Sequence, residues 1–463
     1  ARRCRFGFPQ VIVTSPVVFG PGRRSERRAG VAVDDPRVFP TLYWLSCPYL
    51  VVEVSRLEGE GGVGRVRQWL QEQDLRQMWE KVHRRAACER IATVSPAPSR
   101  LLQEEHPAQW QVLTSSGVGG TQSIDGIKCL HAHLADYLAG PIGKERASDV
   151  SNVAPGDRNP AGAQALVLLL RRGVDVSGCP DCRCGEWPQA KRLAAIDVGS
   201  NSCRLLAVEV REDGSLQKQV TGLKTTRLGE GLQQSGCLRP VAVERTLAAI
   251  QMLLVQACGN WQQPLMQVMA VATSALRSAT NPEELLLRVW EQLALSLRVI
   301  CGQEEAKLSF QGVLSGLGPR PHEIAVLDIG GGSTELIVGH SEGNIAGAVS
   351  IELGAVRLTE ILAGAPDVAA LVRMAKAYLE PEMAPITKGL KEIVLVGVGG
   401  TCTSLAAIDL QMESYDSDRV QGHILSRQQI EAMADWLADM PVGERRQVVG
   451  LQPARADIIV SGA

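Results

Sequence analysis

The sequence predicts an α/β protein of two duplicated lobes with an interlobe cleft, preceded by a smaller α+β N-terminal domain. Three observations carry that prediction. From Lys191 onward, strand-like runs alternate with helical ones, the pattern of α/β layers. Within that region a twelve-residue unit occurs twice: AIDVGSNSCRLL at 195–206 and VLDIGGGSTELI at 326–337 agree in type at nearly every position. Between about 140 and 190 the composition turns to Pro, Gly, Asp and Asn, which marks a boundary. The chain therefore divides into an N-terminal domain at 1–150, a Pro/Gly/Cys-rich junction at 151–190, a first lobe at 191–318 and a second lobe at 319–463. A duplicated unit implies two similar lobes, and two similar lobes leave a cleft between them.

The elements follow in order. The N-terminal domain mixes aromatic, Pro and Cys islands with one long polar helix over 65–90, where Val66, Leu70, Leu75, Met78, Trp79 and Val82 fall at helical spacing. A second helix is expected over 129–138. The run GEGGVG at 59–64 matches G-x-G-x-x-G, but Glu58 and Glu60 sit at its entrance and no second strand ending in an acid follows, so a dinucleotide site is discounted. In the junction, ALVLLLRRGV reads as one strand or helix. Strands are expected at LAAIDV, LLAVEV, QVMAVAT, LRVI, IAVLDI, ELIVG, IVLVGV and ADIIVSG. Helices are expected at VAVERTLAAIQMLLVQAC, NPEELLLRVWEQLALS, QEEAKLSFQGVLSGL, DVAALVRMAKAYLEPE and SRQQIEAMADWLADM.

Composition excludes several classes of function. Of 463 residues, 45% are apolar and 21% charged, and the net charge is −2. That is a globular balance with no bulk basic field for nucleic acid and no sign of a membrane partner. The arginines at 2, 3, 5, 23, 24, 27 and 28 read as a solvated arm. No apolar run approaches the eighteen or so residues of a membrane helix. No signal peptide opens the chain, so the expected location is cytoplasmic. Residue 1 is Ala, and ADIIVSGA reads as a strand running on past the end, so the chain is expected to be a piece of a longer one. Twelve cysteines spread over this length point to unlinked thiols or a metal site rather than disulfides.

Two metal hypotheses arise from those cysteines. Cys179, Cys182 and Cys184 form C-x-x-C-x-C in the junction, where a flexible turn is the plainer reading. Cys4, Cys47, Cys129, His131 and His133 raise Zn²⁺ in the N-terminal domain, with Cys4, Cys47, Cys129 and His133 as the ligand set. Cys129 and His133 are four apart and would share a helix face. Buried cysteines and a capped histidine are the alternative.

Each copy of the repeat reads strand, tight turn, strand. Gly199, Gly330, Gly331 and Gly332 free the backbone and remove the Cβ that would hold a ligand off. Consecutive amides in such a turn can point at an anion. Ser200, Asn201, Ser202, Ser333 and Thr334 add side-chain donors. Asp197 and Asp328 end the first strands. A carboxylate repels phosphate but can ligate a divalent cation that bridges to it. Ordinary hairpin turns use the same residue types, but two matched turns with flanking acids favour a phosphate site. Glu304 and Glu305 open a helix, whose dipole favours acids there and tends to keep them ionised. Arg204 and Arg277 are candidate phosphate clamps. No G-x-x-x-x-G-K-S/T loop and no nucleophile elbow is present.

D-x-G-S-x-S followed by D-x-G-G-G-S-T-E resembles the acetate and sugar kinase/Hsc70/actin superfamily. ATSALRSATN at 272–281, ICGQEEAKLSFQGV at 300–313, GVGGTCTSLAA at 397–407, QGHILSRQQIE at 421–431 and GLQPARADIIVSGA at 450–463 narrow the resemblance to its exopolyphosphatase/guanosine-pentaphosphatase (Ppx/GppA) family, over about 192–463. The resemblance implies actin/ribonuclease-H-like lobes and Mg²⁺ or Mn²⁺ as cofactor. It implies a general base at Glu305, a metal-linked carboxylate at Asp328, a second essential acid at Glu335, and Asp197 in the first phosphate turn. The implied activity is an exopolyphosphatase, releasing orthophosphate from the end of inorganic polyphosphate by metal-assisted water attack. A guanosine pentaphosphate 5′-phosphohydrolase stays open, as do a superfamily kinase, a non-catalytic phosphate or alarmone sensor, and a homodimer. The segments CRFGFPQVIVTSP, FPTLYWLSCPYL, GVGGTQSIDGIKCLHAHLA and the NPAG turn resemble domain of unknown function 501, which has no activity to carry over.

Overall fold

The computed structural model describes residues 2–4, 8–20, 35–123, 126–140, 158–179, 192–259, 266–317, 323–362, 368–388 and 393–463. Cys182 and Cys184 of the junction motif lie outside them, and Cys179 is buried. The chain forms two units: Ala1–Gln189 with Leu286–Ser296, and Ala190–Leu285 with Leu297–Ala463. No disulfide joins any of the described cysteines.

The first unit is α+β. Its strands are β1 (Val11–Val13), β2 (Val17–Gly20), β3 (Asp35–Val38) and β4 (Tyr43–Leu45), which form two antiparallel ribbons, β1 with β4 and β2 with β3. Seven helices follow: α1 (Pro48–Gly59), α2 (Gly62–Glu72), α3 (Arg76–Thr93), α4 (Pro96–Glu105), α5 (Pro107–Ser115), α6 (Leu130–Ala139) and α7 (Pro160–Arg171). The run 59–64 joins two helices, from the last residue of α1 through a turn with Gly61 at φ +81° into the start of α2, and is not a strand-to-helix loop. The single helix expected over 65–90 is two, α2 and α3. Asp74 adopts φ +50°, which breaks the helical ladder between them. The apolar junction segment is helix α7, started by Asn159, whose side chain accepts from the Gly162 amide at 3.0 Å. A Cβ on Gly162 would collide with the carbonyl of His133, so glycine here permits the close crossing of α6 and α7. Arg90 is fully buried, and its guanidinium donates to the carbonyls of Leu113 at 3.2 Å, Gly117 at 3.1 Å, Pro40 and Ser116.

The second unit is α/β and contains the repeat. Its first lobe has β5 (Arg192–Val198), β6 (Ser202–Val210), β7 (Leu216–Thr225), α8 (Leu232–Ser235), α9 (Pro240–Gly259), β8 (Met266–Ala272), α10 (Ser274–Ser278) and β9 (Leu297–Val299), while α11 (Glu283–Leu293) starts in this unit and from Leu286 onward belongs to the first. The sheet order is β7-β6-β5-β8-β9, with β5, β8 and β9 parallel. The second lobe has α12 (Gly302–Gly316), β10 (Glu323–Ile329), β11 (Thr334–His340), β12 (Ile345–Ile351), α13 (Ala355–Ile361), α14 (Val368–Thr387), β13 (Val394–Val398) and α15 (Gly399–Asp409). Its sheet order is β12-β11-β10-β13, with β10 and β13 parallel. Both sheets thus share an antiparallel meander flanked by a parallel strand. The chain closes with α16 (Ser417–Val420), α17 (Arg427–Ala438), α18 (Val442–Arg445) and α19 (Ile459–Gly462).

Two expectations change. ADIIVSG forms helical turns ending in α19 rather than a strand. Ile459 and Val460 pack with Leu358, Leu437 and Leu451 in one core, and that burial overrides their β propensity. Helix α9 is long and apolar enough to cross a membrane, contrary to the expectation that no apolar run approaches that length. Its Leu247, Ile250, Leu253 and Ala257 are buried, as in a core helix packed on β5, β6 and β7.

Candidate active site

The repeat folds into two matched hairpins. In the first turn the Gly199 amide donates to the Ser202 carbonyl at 3.0 Å, and in the second the Gly330 amide donates to the Ser333 carbonyl at the same distance. Asp197 stands opposite Arg204 across β5 and β6, and Asp328 opposite Glu335 across β10 and β11. Each aspartate therefore sits at the turn end of its lobe's central strand.

The two turns meet. A Cβ on Gly331 would lie 3.2 Å from Cβ of Asn201, and one on Gly332 would lie 2.5 Å from the Ser200 hydroxyl and 2.6 Å from that of Ser274. A side chain at 332 would displace those hydroxyls, and one at 331 would be tightly placed, so glycine in the second turn lets the two turns approach. Gly399, which opens α15, has φ +88°, and a Cβ there would meet the Ile329 carbonyl at 2.6 Å and Oδ1 of Asp328 at 2.9 Å. Ser200, Asn201, Ser202, Ser333 and Thr334 are all buried in this region. Thr334 spends its hydroxyl on the Leu353 carbonyl at 2.6 Å.

Four carboxyls gather around the turns. Asp197 is open to water on one side, yet the surrounding protein pushes its carboxyl up to about 6; Arg204 opposes that rise and the Asp328 charge adds to it. Burial also raises Asp328, against a 2.7 Å bond from the Ser309 hydroxyl and the charge of Arg204. Glu305, in the first turn of α12, is held well above the usual carboxylate range by burial and then by Glu335, with Arg277 opposing. Glu335 is raised in the same way, by burial first and then by Asp328, although Ser350 donates to it at 2.6 Å. The helix dipole expected to keep Glu305 ionised is outweighed by desolvation and by its acidic neighbour.

Arg277 and Arg204 differ. The Arg277 guanidinium bonds Glu305 at 3.0 Å, the Ile300 carbonyl at 3.0 Å and Glu352 at 2.7 Å, so it is already engaged by two carboxylates. Arg204 is solvent-exposed opposite Asp197. Sequence reasoning missed Glu352. It accepts from Ser274 at 2.7 Å, Ser278 at 3.2 Å, Arg277 and, at 2.8 Å, Arg357. The available signal was an acid directly after a strand, followed by Gly354 and Arg357, but β12 itself was not recognised.

The acids fit a hard divalent cation. Crowded, mutually repelling carboxyls with raised pKa values gain most from a cation that neutralises them. Among the described residues no three of them bring ligand oxygens within 4.8 Å of one another. That suits an ion held by one or two carboxylates and completed by water or phosphate oxygens, rather than by an all-protein cage.

The zinc set proposed from sequence does not assemble. Cys129 is the N-cap of α6 with φ −159°, outside the helix, so the i, i+4 argument linking it to His133 fails. His133 is buried, stacked on Trp79 at 5.0 Å and bonded to Asn159 at 3.1 Å. Cys47 caps α1, and neither Cys47 nor Cys4 joins Cys129 in a ligand group. His131 does lie with Cys129, together with Glu58.

Residues 208–463 match the profile of the Ppx/GppA phosphatase family, and residues 1–148 match that of a protein of unknown function, DUF501. The first match begins inside β6, so Asp197 and its turn precede it. Exopolyphosphatase 2 of Mycobacterium tuberculosis is 32% identical over 285 residues, covering 59% of this chain and 88% of that protein. The bifunctional 3-dehydroquinate synthase/phosphatase of Fusobacterium nucleatum is 29% identical over 287 residues, and the chain spans only 41% of its length. The crystal structure of an exopolyphosphatase from Cytophaga hutchinsonii matches 58% of this chain and 87% of that one, at 26% identity and a TM-score of 0.52.

Proposed function

Since the chain belongs to the Ppx/GppA phosphatase family, we propose that it is an exopolyphosphatase, hydrolysing the terminal phosphoanhydride of inorganic polyphosphate. The observation that carries this reading is the meeting of two glycine turns among four raised carboxyls, Asp197, Asp328, Glu335 and Glu305. Such a cluster is costly unless it binds protons or a cation, and phosphoryl transfer needs positioning and charge neutralisation above all.

Asp197 and Asp328 would hold Mg²⁺ or Mn²⁺, which would supply charge neutralisation for the phosphate. The amides of 199–202 and 330–334 and the hydroxyls of Ser200, Ser202 and Ser333 position the terminal phosphate. Arg204 attracts the chain from the open side, and Arg277 stabilises its charge while aligning Glu305. Glu305 takes a proton from the attacking water as its oxygen bonds to phosphorus. The anhydride P–O bond breaks, and the shortened polyphosphate leaves with the electron pair. Glu335, held by the hydrogen bond from Ser350, places negative charge beside Glu305 and so raises its affinity for the proton it takes.

The test is orthophosphate release by the purified chain with Mg²⁺, supplied separately with polyphosphate and with guanosine pentaphosphate. Faster release from polyphosphate, abolished by a chelator, is expected. A preference for guanosine pentaphosphate would replace the substrate, and inertness toward both would end the hydrolase reading.

A further inference from the structure

The first unit carries a cluster of a different chemistry. We propose that Glu58, Cys129 and His131 form a three-ligand site for a zinc-class divalent ion, with a fourth coordination position open to solvent.

Three observations support it. A carboxylate oxygen of Glu58, the Cys129 sulfur and a ring nitrogen of His131 lie within 4.8 Å of one another, the one such group of three among the described residues. Ligand atoms bound to tetrahedral zinc at roughly 2.0–2.3 Å stand about 3.3–3.8 Å apart, so modest side-chain rotation closes the set. The residues come from the last turn of α1 and the entry to α6, and the Leu130 amide donates to Oε1 of Glu58, which fixes one ligand against the start of the other helix.

The second observation concerns the protons of His131. Its Nε2 lies 3.1 Å from the Val51 carbonyl and 3.2 Å from the Ser55 hydroxyl. A carbonyl only accepts, so Nε2 carries a hydrogen; Ser55 donates its own to the same carbonyl at 2.8 Å. In the neutral ring Nδ1 is then a bare lone pair, and it faces Oε1 of Glu58 at 3.3 Å. Two acceptors facing one another at that distance repel, and a proton or a metal cation between them relieves the repulsion. A ring N–H anchored on a backbone carbonyl is also the outer support that orients metal-binding histidines.

The third observation is the donor set. Sulfur, imidazole nitrogen and one carboxylate select zinc and its neighbours over magnesium or calcium. The side chains of His131 and Glu58 remain 25% and 24% exposed, which leaves room for water or an anionic ligand as the fourth partner.

The full chain, purified without chelator and kept in excess Mg²⁺ to occupy the acidic cleft, is assayed for zinc and reconstituted with Co²⁺. About one zinc per chain and a thiolate-to-cobalt absorption band are expected. Cys129→Ser should abolish the band, and His131→Gln should weaken zinc binding at least about tenfold, while Cys4→Ser and Cys47→Ser leave both unchanged. Zinc retained equally by Cys129→Ser and His131→Gln would overturn the assignment. So would a wild-type chain with neither zinc nor a cobalt band, which would leave a proton-shared His131–Glu58 pair only. Should a variant fail to fold, the wild-type cobalt spectrum still decides.

Discussion

The individual acids of the cleft respond most sharply to pH. Asp197 has a folded-state pKa near 6 against an ordinary 3.8. Its contribution to stability is therefore full below about pH 3.8 and is lost as pH rises through 6. Asp197→Asn should remove that loss. At pH 8 without divalent cation the variant should be more stable than wild type by roughly 1 kcal/mol, a figure reduced from the full shift because water reaches the carboxyl. Thermal melts at pH 4 and pH 8 measure this; a variant equally stable at both, relative to wild type, would contradict it. Binding of Mg²⁺ needs the same carboxyls ionised, so cation affinity should rise with pH through this range and release protons, which calorimetry in two buffers would detect. A residue such as Asp197 is legible in sequence because its turn is repeated. Glu352 is not, because its partners Ser274, Arg277 and Arg357 converge only in the fold.

Among the elements, the hairpins were read correctly because their chemistry is local: an acid, glycines and hydroxyls between two apolar strands. Strands β7 and β12 were missed for the opposite reason. In β7 only Val220 of ten residues is buried, so no alternation marks it. In the second lobe the demand on backbone geometry is testable at Gly399. Alanine there must adopt φ +88° and crowd the Ile329 carbonyl. Gly399→Ala should cost about 1–3 kcal/mol and lower activity by displacing Asp328. In the first unit, Asn159 starts α7 while donating to His133 and, at 3.0 Å, to Asp136. Asn159→Ala should cost about 1–2 kcal/mol from the lost cap and more from the buried partners it abandons. A change below a few tenths in denaturant melts would show that the cap carries little. The misread helix over 65–90 has a physical lesson too. Helical spacing continues through Asp74, but one left-handed residue there ends α2.

For the whole molecule, duplication was the signal that made the architecture legible. Two copies of one hairpin implied two sheets of one topology, and the sheets β7-β6-β5-β8-β9 and β12-β11-β10-β13 share it. The N-terminal unit offered no repeat and no transferable chemistry. Its ligand cluster joins Glu58 to residues more than seventy positions later, a pairing that spacing alone cannot reveal. Among the acids between the hairpins, the proposed hydrolysis rests most heavily on Glu305. The direct measurement is orthophosphate release from polyphosphate by the full chain with Mg²⁺, wild type beside Glu305→Gln, together with polyphosphate binding by each. The glutamine variant should bind polyphosphate as wild type does and lose about 10²–10⁴ in kcat. Wild-type turnover in Glu305→Gln would contradict that role.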